Sequence, residues 1–169
     1  MSWFKEWFDT KYYHILYKNR DYQEANFFIS NLVEKLNVTK NTKILDLACG
    51  KGRHSIFLNG LGFNVEGVDL SKQSIDTAKK FESARLKFST HDMRNVYKAN
   101  HFDFVFNLFT SFGYFESEAE NQQVVTSMAQ NLSDKGVLVI DFLNAEKVIQ
   151  NLIPREVKMI DGIEFEITK

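Results

Sequence analysis

Residues 44–55 read ILDLACGKGRHS, an apolar run that stops at an acid and passes into a small-residue loop with two glycines one residue apart. Such a junction suits a buried strand turning into a helix. Glycine there lets a ligand approach the main chain, and the helix N-terminus offers unpaired N–H groups. Working outward, apolar runs fall at 43–48, 64–69, 86–90, 102–109 and 137–142. Helical patterns at about 52–60, 72–83 and 118–132 separate them, with a short connection of about one turn near 93–98. Strands alternating with helices predict crossover units: an α/β fold with a doubly wound, mostly parallel sheet and helices on both faces. ILDLA and GVLVIDF are apolar almost throughout, as expected of strands buried on both faces.

Upstream, Trp3, Phe4, Trp7, Phe8, Tyr12 and Leu16 recur at helical spacing between Ser2 and about Lys18. A second helix is expected over about Tyr22 to Leu36, with Ala25, Phe28, Ile29, Leu32, Val33 and Leu36 on one face. The polar face of the first helix lacks the basic excess of a membrane-surface helix, so a cap over the site is the better reading. The expected organisation is a helical cap over 1–38, a ligand-binding core over 39–145, and a helix with the start of an antiparallel segment over 146–169. All three belong to one domain. Downstream, EVKMIDGIEFEITK predicts a β-hairpin about an Asp161-Gly162 turn. A sheet ending at 137–142 leaves an apolar edge open. Either the hairpin covers it or further chain does, and truncation at the C-terminus is the expectation.

The 169 residues are 44% hydrophobic with a formal net charge of -1, which suits a folded domain and argues against disorder. Basic residues are scattered without a block for phosphate backbones, so no nucleic-acid partner is expected. A lone cysteine, Cys49, allows no internal disulfide, and no Cys/His cluster has metal-ligand spacing. With no signal-peptide core and no membrane-length apolar run, a cytoplasmic protein without a membrane partner is expected.

Three ligand classes compete for the loop. A mononucleotide P-loop needs GxxxxGK followed by Ser or Thr, which GKGRHS does not supply. A dinucleotide fingerprint needs GxGxxG, and Gly50, Gly52 and Ser55 give only GxGxxS. S-adenosylmethionine has no pyrophosphate, so its loop should be paired with acids. Three successive strands each end in one: Asp46 before the loop, Asp69 closing NVEGVD where it can accept ribose hydroxyls, and Asp92 after LKFSTH where it can accept the adenine amino hydrogen.

From about residue 1 to 145 the chain resembles the class I S-adenosylmethionine-dependent methyltransferases, which have a Rossmann-like fold. DLACGKG matches their acid-x-Gly-x-Gly-x-Gly motif, with Ala48 replacing the first glycine. The resemblance implies that Asp69 meets the ribose with Leu70 beside the adenine, that Asp92 meets the adenine with Met93 against the ring, and that FDFVFNLFTSFGYF is the fourth motif, with Asn107 and Phe109 at the cofactor. GRHS and NLFTSFGYF resemble a broad bacterial group of small-molecule methyltransferases. In some of them a Tyr…Arg pair on the cap meets the methionine carboxylate, which places Tyr17 and Arg20 there.

Other residues have plainer readings. Cys49 is expected to be a compact buried side chain, and His54 to be packed. Phe102, Phe104 and Phe106 alternate as core. Phe112 and Tyr114 follow the strand end and, with Asn144, are candidates for the acceptor site. Tyr114 is the candidate for orienting the acceptor or taking its proton, ahead of His101 and His91. Methyl transfer from a sulfonium mainly requires alignment of nucleophile, methyl carbon and sulfur, so no triad or metal is needed. The expected function is in-line methyl transfer to nitrogen or oxygen of a small-molecule acceptor, with S-adenosylmethionine as cofactor and room for a homodimer. NLFT lacks the Pro-Pro-aromatic signature of adenine or glutamine amino-methyltransferases. The alternatives are an NAD(P)-dependent oxidoreductase, which leaves Asp46 and Asp92 unexplained, and a noncatalytic S-adenosylmethionine-binding module.

Overall fold

In the computed structural model, which describes residues 7–8, 10–17 and 22–168, the five apolar runs form one parallel sheet. Trp3, Phe4 and Arg20 lie outside the described residues. The strands are β1 (Lys43–Leu47), β2 (Asn64–Asp69), β3 (Leu86–Thr90), β4 (Phe102–Asn107) and β5 (Leu132–Ile140), in the order β3-β2-β1-β4-β5. The chain moves outward from β1 to β3, returns to the centre, and moves outward again through β4 and β5. That reversal leaves a crevice between β1 and β4 at their carboxyl ends, where open α/β sheets bind ligands.

Alternation along the strands divides the core. Ile44 and Phe106 face one side with Ile29 of α2 (Tyr22–Lys35), Leu58 of α3 (Arg53–Gly60) and Ile75 of α4 (Lys72–Ala78). Leu45, Leu47 and Val105 face the other with Val124 and Met128 of α5 (Glu118–Asn131). Helices therefore cover both faces, and Phe28, Leu32, Val33 and Leu36 of the second helical stretch pack on the first. Ser71 caps α4 and Ser117 caps α5 by accepting the N–H three residues on. α3 instead starts at Gly52 with no side-chain cap, which leaves its first N–H groups to the loop. The N-terminal segment is helical at α1 (Lys11–Leu16), capped by Thr10. Among the described residues no helix is long and apolar enough to cross a membrane.

Several boundaries differ from the sequence expectation. β5 begins at Leu132 rather than 137, because Leu132 already leaves α5 in extended conformation. β4 stops at Asn107, since Phe109 and Thr110 adopt left-handed backbone. The helix expected to reach 83 ends at Ala78 and tightens into a 3-10 turn over Lys79–Phe81. Residues 93–98 hold the short turn expected there. GVLVIDF is not buried on both faces: Val137 is 39% and Ile140 37% exposed, because β5 is the sheet's outermost strand.

After α6 (Ala145–Gln150) the hairpin forms as expected, β6 (Arg155–Ile160) against β7 (Ile163–Thr168). Asp161 and Gly162 both have positive φ, the requirement of a tight primed turn. The hairpin is a separate two-stranded sheet, so among the described residues no strand pairs with the outer edge of β5.

Candidate active site at the carboxyl edge of the sheet

The loop after β1 is built by three left-handed residues and two carboxylates. Ala48, Gly50 and Gly52 have φ of 66°, 56° and 80°. A side chain at Gly50 would meet nothing within 4 Å, whereas a Cβ at Gly52 would stand 2.6 Å from the Phe88 ring. Gly50 therefore opens the loop outward, and Gly52 lets α3 sit down on β3. The Gly50 N–H donates to Asp69 Oδ2 at 2.8 Å, and the Ser71 N–H donates to Asp69 Oδ1 at 2.8 Å. Two backbone donors thus fix the Asp69 carboxylate against the loop.

Asp46 lies beneath this loop, 2% exposed, and accepts a 2.5 Å hydrogen bond from Ser55 Oγ of α3. Burial pushes its carboxyl up to about 6, with the nearby Asp69 charge adding to the rise and the Ser55 hydrogen bond opposing it. This bond joins it to the helix that follows the loop, so it ties strand to helix. Cys49 is buried beside it, and that burial raises the thiol well above its ordinary range, away from nucleophilic use.

One strand over, Asp92 follows β3. The Arg94 guanidinium beside it holds its carboxyl below the usual range, through Nε at 3.1 Å from both oxygens and Nη2 at 2.5 Å from Oδ2. Leu70 is half-buried, and Met93 packs in one cluster with Phe112 and Phe115.

Across the crevice, Asn107 closes β4 with no exposed surface. Its Nδ2 donates to the Leu47 carbonyl at 2.9 Å, while its Oδ1 has no hydrogen-bond partner among the described residues. The turn that follows is strained: Phe109 and Thr110 have φ of 57° and 58°. Asp141, just past β5, holds them, with Oδ2 accepting the Phe109 N–H at 2.9 Å and its carbonyl accepting the Thr110 N–H at 3.2 Å. The Phe109 ring stacks on His54 at 4.7 Å, lies 4.9 Å from the Arg53 guanidinium carbon, and meets the edge of Phe28. Burial, reinforced by Arg53, drives the His54 imidazole down to about 3, so it stays neutral and packs.

The cap reaches the same loop. Phe8 meets Tyr114 edge-on at 5.3 Å and Tyr13 at 4.9 Å, and Tyr13 lies 5.0 Å from Tyr17. The remaining candidates have partners of their own or lie elsewhere on the sheet. Asn144 is exposed and caps α6 by accepting the Lys147 N–H at 3.0 Å. His101 precedes β4, at the opposite edge of the sheet. His91 Nε2 lies 2.8 Å from the Asn95 carbonyl.

Ser55, Arg94 and Asp141 were not singled out from the sequence. Asp141 carried a readable signal, because it is a fourth acid at a strand end. Ser55 stands where a dinucleotide fingerprint has glycine, which disguised it as a weak match.

Comparison with known proteins identifies the family and the fold. The family model described as "Methyltransferase domain" matches residues 44–136, more than half of the chain. A glycine/sarcosine N-methyltransferase of Aphanothece halophytica is 31% identical over 77% of this chain and 49% of its own length. A dTDP-3-amino-3,4,6-trideoxy-alpha-D-glucopyranose N,N-dimethyltransferase of Streptomyces venezuelae is 29% identical over 73% of this chain and 52% of its own. The chain spans about half the length of the curated relatives it matches. Among solved structures, an S-adenosylmethionine-dependent methyltransferase of Clostridium acetobutylicum shares the fold with a TM-score of 0.73 at 24% identity, covering 93% of this chain and 65% of that one. With the acids at three strand ends, the glycine loop and the matched family model all pointing one way, the chain belongs to the class I S-adenosylmethionine-dependent methyltransferases.

Proposed function

We propose that this chain transfers the methyl group of S-adenosylmethionine to a nitrogen or oxygen of a small-molecule acceptor. The observation that carries this reading is the pairing of Asp69 with the open loop at Gly50, opposite the orphaned Oδ1 of Asn107. That set of acceptors fits the cofactor. A carboxylate fixed by two N–H groups suits a ribose diol, and an unpaired buried acceptor suits an amino group. Asp46, Ala48, Gly50 and Gly52 shape the loop. Asp69 and Leu70 take the ribose and one adenine edge, Asp92 and Met93 the other, and Asn107 and Phe109 the methionine end. Tyr17 is assigned to the methionine carboxylate and, by the family resemblance, so is Arg20.

When bound, the cofactor supplies an electrophilic methyl group on a sulfonium sulfur. The residues of this chain then position and exclude water, which is most of what such a displacement requires. Tyr114, pressed by Phe8 from the cap, orients the acceptor or takes its proton, with Phe112 beside it. His54 cannot act as base from within its stack on Phe109. The resemblance to glycine/sarcosine and amino-sugar N-methyltransferases favours an amine as acceptor.

Calorimetric titration of S-adenosylmethionine, S-adenosylhomocysteine and NADH, alongside Asp69→Ala, tests the reading. Micromolar binding of the two sulfur ligands, lost in the variant, is the expected result. Tight NADH binding without sulfur-ligand binding would replace it with a dinucleotide enzyme. Product formation with small amines separates an enzyme from a binding module. Tyr114→Phe should lower turnover about tenfold or more with cofactor affinity unchanged, and unaltered turnover removes Tyr114 from the mechanism.

A further inference from the structure

Arg94 joins two parts of the site that the sequence keeps apart. One edge of its guanidinium, Nε and Nη2, grips the Asp92 carboxylate, and its own backbone N–H adds a third donor, to Asp92 Oδ1 at 3.0 Å. Its Nη1 donates to Glu120 Oε1 at 2.6 Å. Glu120 is held in turn by the cap of α5, with Ser117 Oγ donating to Oε2 at 3.0 Å. The guanidinium carbon stands 4.8 Å from the centre of the Phe115 ring. Side-chain exposure is 34% for Arg94 and 20% for Asp92, so the pair sits at the rim and is not buried in the core. The planar group is thus fixed on two edges and a face by three elements, a use for which lysine has no equivalent geometry.

From this we infer that Arg94 is a positioning residue that sets base selectivity: it fixes the Asp92 carboxylate as the acceptor for the amino group of adenine. The inference rests on the proposed cofactor reading. A carboxylate held by a fork on one side can turn only its remaining lone pairs to a ligand, and these accept a donor and repel an acceptor. Selectivity then comes from a polar contact made or left unmade on ligand binding, which discriminates more strongly than shape alone. Because Arg94 also leans on Phe115 and the start of α5, it sets the height of the loop that carries Phe112 and Tyr114 against the adenine end.

The test is a pair of Kd measurements, one with S-adenosylhomocysteine and one with its analogue bearing unsubstituted purine in place of adenine. Wild-type protein should favour the adenine ligand about tenfold or more. Arg94→Gln should bring that preference below about threefold by weakening the adenine ligand alone, leaving the purine analogue within about twofold. Arg94→Lys, which keeps the charge without the fork, should fall between them and serves if the glutamine variant does not fold. Lowering the pH from 6 to 4 should weaken the adenine ligand more in Arg94→Gln than in wild type, since Asp92 there loses the cation that keeps it ionised. An undiminished preference in both variants overturns the inference. So does an equal loss for both ligands, which marks a purely structural role, or a gain in adenine affinity, which marks the guanidinium as a competitor. Wild-type protein that binds neither ligand overturns the cofactor reading itself, and the inference with it.

Discussion

The two loops that face each other across the crevice solve the same geometric problem by opposite means. The loop after β1 turns through left-handed backbone largely on glycine, is tied to Asp69 by a main-chain hydrogen bond, and is backed by the Asp46–Ser55 contact. The loop after β4 turns through left-handed backbone on Phe109 and Thr110, and is restrained by Asp141 and the stack on His54. Glycine adopts that region without penalty, and a bulky residue does so only where its surroundings dictate it. The first loop is therefore a fixed cradle for a constant ligand. The second stores strain beside the proposed acceptor site.

Breaking the cradle should have the largest effect. Gly52→Ala forces a Cβ into the Phe88 ring at positive φ, and should destabilise the chain by about 3 kcal/mol in urea denaturation and abolish cofactor binding. Releasing the strained loop comes next. Asp141→Ala removes the acceptor of the Phe109 N–H; it should lower stability by about 1–2 kcal/mol and reduce turnover more than cofactor affinity.

The undersides of the two loops titrate in opposite senses. Asp46 keeps its proton to about pH 6 in the folded chain against an ordinary value of 3.8, so its contribution stabilises below that window and is lost as pH rises through it. His54 stays neutral to about pH 3 against an ordinary 6.5, so its contribution is present above 6.5 and lost as pH falls toward 3. Between pH 6 and 5 the two nearly offset. Relative to wild type, His54→Phe should gain about 1 kcal/mol across that step and Asp46→Asn should lose about as much, read from urea midpoints at both pH values. Parallel curves for all three proteins would dissolve the distinction. The smallest effect is Ala48→Gly, which relieves a positive φ and should stabilise the chain by about 0.5 kcal/mol.

Where chemistry is local, the sequence revealed it. β2 and β3 fall where their apolar runs and terminal acids place them, and Asp161-Gly162 turns the hairpin its residue types demand. The glycine loop was readable because few ligands need that spacing. What escaped was either non-local or contrary to pattern. The start of β5 is hidden in the polar stretch LSDKG, where the register with β4 shifts between Phe102 and Phe104. The Arg94–Glu120 bond spans 26 positions and the Phe109–Asp141 bond spans 32, beyond any periodicity in the chain. The strain at Phe109 and Thr110 runs against residue preference, so only the fold could disclose it.

The Asn107 clip onto the Leu47 carbonyl, 60 positions away in sequence, bears on how the molecule assembles as it leaves the ribosome. β1 is the middle strand, yet one of its two neighbours is made long after it. The first half of the sheet therefore emerges with an unsatisfied central strand, and the ligand crevice does not exist until β4 has been synthesised and docked. Distant parallel pairing of this kind slows folding, because the long intervening loop must close before its contacts repay the entropy. The crevice that defines this chain chemically is, kinetically, its late event.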